Sequence, residues 1–458
     1  MAPRLFALII GIDMYKSGDI WNLESSVHDA KRISRWLVKN FSVPRQQISL
    51  LLNNKATKQN IEDAFTSHLI NNDNIQTGDA ILIYFAGHGS TMRAPPAWFQ
   101  AGSGPGNVHM ICPYDHDTKD ANGQRITGIS DRSMEALIRD LACAKGNNIT
   151  LVLDCCFSPV QSRSNVRDRS FTRWTATTKA KREDLFAGLW PSAGTEPYAN
   201  MSGFYNASST HTTLIACSPG EKAMEGKNGG RFTYELIKAA KSLSLHYTSP
   251  KKLIEHIQER MAEGSQIPQC IGRHKSQTIF NAVPFTPDAI YLPISIQENS
   301  ALYVDAGLTH GILRGDQFSV HLHNYGGSHN PQIATVTVVE VYPTWSKCQL
   351  ATQSKLRALS TENSYWARIS DRRSRRPLHV HIKQKYAALV LRRKKSASVY
   401  SDTPVLPELL ATPLPESSSD TLPTKVIVLS RDLKAADAAR ITLRVNLGFR
   451  NLLSPRFK

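Results

Sequence analysis

The sequence predicts an α/β fold with a mostly parallel sheet, followed by a small β-rich domain, and three observations carry that prediction. Leu5-Phe6-Ala7-Leu8-Ile9-Ile10, Ala80-Ile81-Leu82-Ile83-Tyr84-Phe85 and Ile149-Thr150-Leu151-Val152-Leu153 are continuous apolar runs rather than alternating ones, the pattern of strands covered on both faces. Helical periodicity intervenes: Val27, Ala30, Ile33, Leu37 and Phe41 share one helix face with Ser25 or Ser26 as N-cap, and Ser130–Ala144 reads as a second helix. After Pro284 the strand–helix alternation gives way to short β-type runs separated by Gly and Asn turns.

Taken in chain order, the first apolar run ends at Gly11-Ile12-Asp13, and the helix that follows holds Asp29 in its first turn. The second run ends on Ala86-Gly87-His88-Gly89 and the third on Asp154-Cys155-Cys156. In an open α/β sheet reactive groups gather outside the carboxyl ends of parallel strands, so these two runs are expected as neighbours with their ends at one site. A thiol is a weak nucleophile until a base generates thiolate, which makes His88 and Cys156 the candidate pair. Gly87 and Gly89 leave the His loop bare, so the Gly89 and Cys156 N–H groups are candidate oxyanion donors. Further on, Thr213-Leu214-Ile215-Ala216-Cys217 predicts another strand, with a glycine-rich turn and a helix from about Phe232. Ser249-Pro250 announces a helix burying Leu253, Ile257 and Met261. Glu221 and Glu225, in the turn, read as surface charge.

Over roughly residues 4 to 283 these motifs resemble the caspase-like superfamily, and within it metacaspases of the fungal type. Metacaspases carry His in a Ser-Gly-His-Gly loop and Cys in Asp-Ser-Cys-His-Ser-Gly; this chain has Ala86-Gly87-His88-Gly89 and Asp154-Cys155-Cys156-Phe157-Ser158-Pro159. The resemblance implies a three-layer α/β/α sandwich and a cysteine endopeptidase with Cys156 as nucleophile and His88 as base and later acid. It also implies that Asp29 and Asp154 receive an Arg or Lys side chain before the scissile bond, with Ala86 where the family's pocket has Ser. Phe157 and Pro159 depart from the motif just after the nucleophile, which sets a second expectation beside the first: an inactive caspase-like scaffold or signalling module with a partner-binding β domain. Calcium-activated metacaspases carry an acidic run after the His loop, because a hard dication needs several oxygen ligands. Residues 90–112 contain no Asp or Glu, so no cofactor and no metal site is expected, and Asp115, Asp117, Asp120 and Asp131 are assigned to a polar turn and a helix N-terminus.

The formal net charge of +17 is unevenly spread: residues 286–458 hold +10, the stretch Val160–Arg182 holds +6, and the remainder is near neutral. Val160–Arg182 carries Arg163, Arg167, Arg169, Arg173, Lys179, Lys181 and Arg182 against Asp168 and lacks apolar periodicity, which predicts a mobile surface loop. For a pocket taking Arg or Lys this loop is a tethered substrate, so self-processing within 160–182 is expected. Arg372-Arg373-Ser374-Arg375-Arg376 and Arg392-Arg393-Lys394-Lys395 are candidate contacts for nucleic acid or an anionic surface.

The expected organisation is a catalytic domain over 1–284, divided into 1–158, a basic linker 159–210 and 211–284. A β-rich domain at 285–395, a Ser/Pro/Thr-rich linker at 396–424 and a basic tail at 425–458 follow. The seven cysteines show no Cys-x-x-Cys spacing, which predicts an intracellular, reducing location, cytoplasmic or nuclear. The apolar start breaks at Asp13 after about eight residues, too short for a signal peptide, and no stretch is long enough to span a membrane.

Overall fold

The computed structural model describes residues 4–98, 106–157, 172–194, 203–206, 208–226, 228–261, 266–297, 301–351 and 364–372, and the backbone of 378–383 and 424–429. The chain forms two compact units, residues 1–286 with 325–329 and residues 287–324 with 330–458.

In the first unit the three apolar runs are β1 (Leu5–Gly11), β3 (Ala80–Ala86) and β7 (Ile149–Asp154), each buried along its whole length. With β2 (Ile48–Leu52), β8 (Thr212–Ile215) and β11 (Gln269–Ile271) they form a six-stranded sheet in the order β11-β8-β7-β3-β1-β2. All neighbours are parallel except β11, which runs antiparallel to β8. Alternation splits each central strand between two cores. Leu5, Ala7, Ile9, Leu82, Tyr84 and Val152 face one, Phe6, Leu8, Ile10, Ile83, Phe85 and Leu151 the other. The first core is closed by α1 (Ser26–Phe41), α4 (Arg231–Ser242) and α5 (Pro250–Met261) through Ile33, Leu37, Leu236, Leu253 and Ile257. The second is closed by α2 (Lys58–Ala64) and α3 (Asp131–Lys145) through Ile61, Leu137, Ile138 and Leu141. A sheet covered on both faces by helices is the three-layer sandwich, and each fully buried Leu or Ile contributes roughly 1.5–3 kcal/mol to it.

Helix ends differ in how they are held. Ser130 caps α3 by accepting the Ser133 N–H at 3.1 Å, as its sequence position predicts. For α1 the expectation of a serine cap is corrected: Ser25 makes no cap hydrogen bond, and Asp13 instead accepts the Ser26 and Val27 N–H groups at 2.6 and 3.2 Å. A carboxylate there also meets the positive end of the helix dipole, and Ser25 is released for another task.

A side sheet of β4 (Gly89–Arg93), β5 (Asn107–Ile111) and β6 (Ile129–Ser130) continues directly from the His88 loop. A two-stranded ribbon, β9 (Glu225–Gly226) with β10 (Gly229–Gly230), precedes α4.

The second unit holds a closed antiparallel barrel of β12 (Leu292–Ile296), β13 (Leu302–Val304), β14 (Gln317–His321), β15 (Ala334–Val341), β16 (Ser346–Leu350) and β17 (Tyr365–Asp371). Val304, Phe318, Val320, Val336 and Val338 fill it. The backbones of β18 (Leu378–Lys383) and β19 (Thr424–Leu429) pair with each other. The expected linker 396–424, apart from Thr424, and the basic clusters 373–376 and 392–395 lie outside the described residues.

Burial pushes the imidazoles of His88, His109, His116 and His211 down to about 4, and the carboxyls of Asp29 and Asp131 up to about 6. Smaller shifts move Asp13, Glu62 and Glu135 up and His28 and His68 down. Between pH 6.5 and 4 the unfolded chain binds protons on imidazoles that the folded chain leaves neutral, so their contribution is full above 6.5 and is lost as pH falls. The raised carboxyls act oppositely, but only below about pH 6. With four strongly shifted imidazoles against two carboxyls, stability declines on acidification by about 1.4 kcal/mol per pH unit for each net proton. The expected result is a melting temperature several degrees lower at pH 5.5 than at pH 7; a flat or rising profile would contradict it.

Candidate active site

The register Ala86↔Asp154 between β3 and β7 brings the ends of these strands side by side, so the loops carrying His88 and Cys156 leave the sheet together. His88 is almost wholly buried. Its backbone N–H donates to the Tyr15 hydroxyl at 2.7 Å, and its ring Nε2 lies 2.7 Å from the Trp21 carbonyl. A carbonyl only accepts, so Nε2 carries the proton and Nδ1, buried without a partner, keeps its lone pair. Burial, helped by the charge of Arg173, drives this ring toward the neutral base, down to about 4, against the opposing pull of the Trp21 carbonyl and Glu225. Cys156 is buried on the α1 side of the sheet and Cys155 on the other. Cys217, just past the end of β8, reaches the Cys155 carbonyl at 3.8 Å and is raised by its hydrogen bond to Cys156.

Asp29 and Asp154 converge, and the space between them is filled by this chain's own Arg173. That guanidinium is fully buried. It meets Asp29 at 2.6 Å, Asp154 at 2.7 Å and Glu225 at 3.1 Å, and it donates to Ser25 Oγ at 3.1 Å. A planar fork of five donors suits such a ring of carboxylates, and burying one charge without the others would be costly. Desolvation works against the charge on Arg173, but Asp154, Asp29 and Glu225 overcome it and hold its pKa well above the ordinary arginine value. Asp29 is raised to about 6 by burial, with Arg173 opposing and Asp154 reinforcing.

Each acid is itself held in place. Asp154 accepts from Thr233 Oγ1 at 2.6 Å, and that hydroxyl accepts in turn from Tyr84 at 2.6 Å. Asp29 accepts the Gly230 N–H at 2.7 Å. Glu225 accepts the N–H groups of Glu24 and Ser25 and the Ser25 hydroxyl at 2.9, 3.1 and 2.6 Å. Gly230 must be glycine for room: a β-carbon there would stand 2.7 Å from both Arg173 Nη1 and Asp154 Oδ2.

The backbone around Arg173 is bound as tightly as its side chain. The Arg173 carbonyl oxygen accepts from Gly89 N at 3.0 Å and Cys156 N at 3.2 Å, so the two amides expected to face an oxyanion both face this one atom. Arg173 N donates to the Ala223 carbonyl at 2.9 Å, and Thr172 bridges antiparallel to Met224. After it, Trp174 bridges to Gly89, and Thr175 N donates to the Gly89 carbonyl at 3.0 Å. A methyl at Gly89 would overlap the Cys156 carbonyl oxygen.

Three expectations are corrected here. The Val160–Arg182 loop is not all surface: residues 160–171 lie outside the described residues, but Arg173 is buried at the carboxyl ends of β3 and β7. Glu225 is not surface charge but a wall of the pocket, while Glu221 accepts the Ser218 and Ile267 N–H groups and shapes a loop. Ala86 is fully buried in the first core and its carbonyl accepts the Ile12 N–H, a strand-end role. Phe157 is buried, stacked on His109 and Phe204 with centroids at 5.2 and 4.8 Å; Pro159 lies outside the described residues. Asp131 accepts the His109 N–H at the start of α3. Among the described residues no group of three or more His, Cys, Asp or Glu is arranged to hold a metal ion, and no helix is long and apolar enough to cross a membrane.

A family model described as the caspase domain of peptidase family C14 matches residues 4–279. Metacaspase-3 of Arabidopsis thaliana is 26% identical over 247 residues, 52% of this chain and 59% of that protein; the chain thus spans a little over half the length of this curated relative. Among solved structures, a protein from Geobacter sulfurreducens shares 17% identity over 61% of this chain and 99% of its own, with a TM-score of 0.43. Caspase-1 from Spodoptera frugiperda shares 10% identity over 59% of this chain and 88% of its own, with a TM-score of 0.34.

Proposed function

This chain belongs to the caspase-domain family of cysteine peptidases, and from that premise we propose that it is an endopeptidase cutting after Arg or Lys whose first substrate is its own Arg173–Trp174 bond. The observation that carries the proposal is the double seating of Arg173: its guanidinium among Asp29, Asp154 and Glu225, its carbonyl on the Gly89 and Cys156 amides. A substrate's first residue before the cut needs both contacts at once, and a surface arginine needs neither.

In this reading His88 Nδ1 takes the Cys156 thiol proton, and the thiolate attacks the Arg173 carbonyl carbon. Negative charge develops on the oxygen already aimed at two N–H donors, so little reorganisation is needed. His88 then returns the proton to the Trp174 nitrogen as the peptide bond breaks, and a water activated by the same base releases the acyl group from sulfur. Trp21, through its carbonyl, keeps Nδ1 the basic nitrogen throughout. Thr172 and Arg173 lie along residues 223–224 as an added strand, a mode open to any extended peptide.

The pocket also sets a preference. Arg173 reaches Asp154 with Nη1 and both Asp29 and Glu225 with Nη2, whereas a lysine ammonium is one point charge on a shorter fork-less stem. Expected is Cys156-dependent hydrolysis of an Arg-terminated fluorogenic peptide with kcat/KM about 10-fold or more above its Lys counterpart, and none of an Asp-terminated one. Equal rates on Arg and Lys would refute the fork argument, and preference for Asp would refute the pocket. No turnover of any of the three would refute the peptidase itself.

A further inference from the structure

Beyond the scissile position the chain is held by a second set of contacts that the chemistry does not require. Thr177 Oγ1 lies 2.7 Å from the hydroxyl of buried Ser90 and 3.0 Å from His116 Nε2. One carboxylate, that of Asp117, then accepts the backbone N–H groups of Thr178, Lys179 and Ala180 at 3.0, 3.0 and 2.7 Å, and the Thr178 hydroxyl at 3.2 Å. Lys179 further pairs with Asp19 at the surface.

The receiving groups are fixed by elements other than the segment they hold. Asp117 is buried in a left-handed backbone conformation, φ +58°, that non-glycine residues seldom adopt. It is fixed there by its own N–H to the Ile126 carbonyl at 2.8 Å and by Arg125 on its carbonyl at 3.1 Å. Ser90 sits on β4 next to Gly89, so the strand that supplies an amide to the Arg173 carbonyl also supplies the hydroxyl that meets Thr177. The line of contacts therefore runs unbroken from Cys156 to Asp117, and the successive amides folded round one carboxylate form a local nest.

We infer that Ser90, His116 and Asp117 form a binding site for the leaving side of the substrate, selecting peptides with a hydroxyl at the fourth position after the cut and three free backbone N–H groups at the fifth to seventh that can fold round one carboxylate. This rests on cleavage after Arg173. It makes Asp117 a specificity residue some seven positions from the reaction, acting on binding of long substrates and not on the chemical step.

The test uses the full chain and three synthetic peptides. One spans residues 170–182, one stops after Ala176, and one spans 170–182 with N-methyl groups on the amides of Lys179 and Ala180. A fluorogenic Arg-amide lacking any leaving-side residues is run alongside. The site predicts a kcat/KM for the long peptide about 10-fold above the truncated and N-methylated peptides, the difference lying in KM. It predicts that this ratio collapses toward one in Asp117→Asn. Ratios within twofold in the wild-type chain would overturn the inference while hydrolysis of the Arg-amide leaves the peptidase reading standing. An undiminished ratio in Asp117→Asn would overturn the assignment of that residue. Absence of Cys156-dependent hydrolysis in every arm would overturn the peptidase reading and this inference with it. The N-methylated peptide keeps the experiment decisive if the Asp117 variant fails to fold.

Discussion

Replacing Cys156 with Ala leaves the purified chain whole, whereas the wild-type chain accumulates two fragments under the same conditions. The expected loss is at least about 10³-fold in the rate of self-cutting, because an alanine offers no nucleophile while the pocket and the two amides still bind the Arg173 segment. Denaturing electrophoresis over time reads it directly. Fragmentation of the Cys156→Ala protein at the wild-type rate would mean that a contaminating protease, or a different residue of this chain, makes the cut. The variant also separates binding from chemistry: its fold and its seated Arg173 should be unchanged, and its unfolding free energy should lie within about 1–2 kcal/mol of uncut wild type, the order expected when one buried sulfur is removed from a packed site.

Arg173→Ala has the largest expected effect on stability. It removes the shared cation from between Asp29, Asp154 and Glu225, all buried, and leaves three carboxylates facing one another. Removing one partner of a buried ion cluster typically costs about 3–5 kcal/mol, since the remaining charges lose their compensation. Asp29, already raised to about 6 beside the arginine, would be pushed further and take up a proton. Urea unfolding of Arg173→Ala in the Cys156→Ala background, so that cutting cannot confuse the comparison, should show a loss of that order. The loss should be smaller at pH 5.5 than at pH 8, because protonated carboxyls no longer repel. A change under about 1 kcal/mol at both pH values would mean that the arginine is dispensable to the folded state. Arg173→Lys should fall between the two, restoring charge but not the fork.

Much of this was legible in the sequence, and the exceptions have physical reasons. Continuous apolar runs marked the three central strands because a strand covered on both faces has no polar side to alternate with. Small residues after two of those strands marked the candidate loops, and Gly89, Cys156, Asp29 and Asp154 all contact one segment, that of Arg173. Glu225 was misread because its partner comes from elsewhere: the β9–β10 ribbon folds it under Ser25 and Glu24, some two hundred residues earlier, and no local pattern encodes that contact. Ser25 was misread in step with it. A serine before a helix is a good cap by rule, but Asp13 holds the first amides of α1 and frees Ser25 for Glu225 and Arg173.

The burial of Arg173 was hidden by its company. Within a run of like charges every arginine reads as solvated, and only the convergence of Asp29, Asp154 and Glu225 from three distant parts of the chain singles this one out. Two signals were available: an aromatic residue, Trp174, directly after it, and flanking threonines unlike the serine- and arginine-rich stretch before them. The barrel of the second unit was read correctly as β-rich from its alternating runs at residues 317–322 and 334–341, while its chemistry leaves no comparable mark.

The measurement that bears most directly on all of this is the amino-terminal sequence and intact mass of the carboxyl-terminal fragment released by the wild-type chain. The account predicts a new amino terminus at Trp174, from cleavage after Arg173, whose side chain and carbonyl are both seated in the site. A chain that stays uncut while it hydrolyses Arg peptides, or one that is cut after Arg163, Arg167, Arg169, Lys179, Lys181 or Arg182 instead, would contradict it.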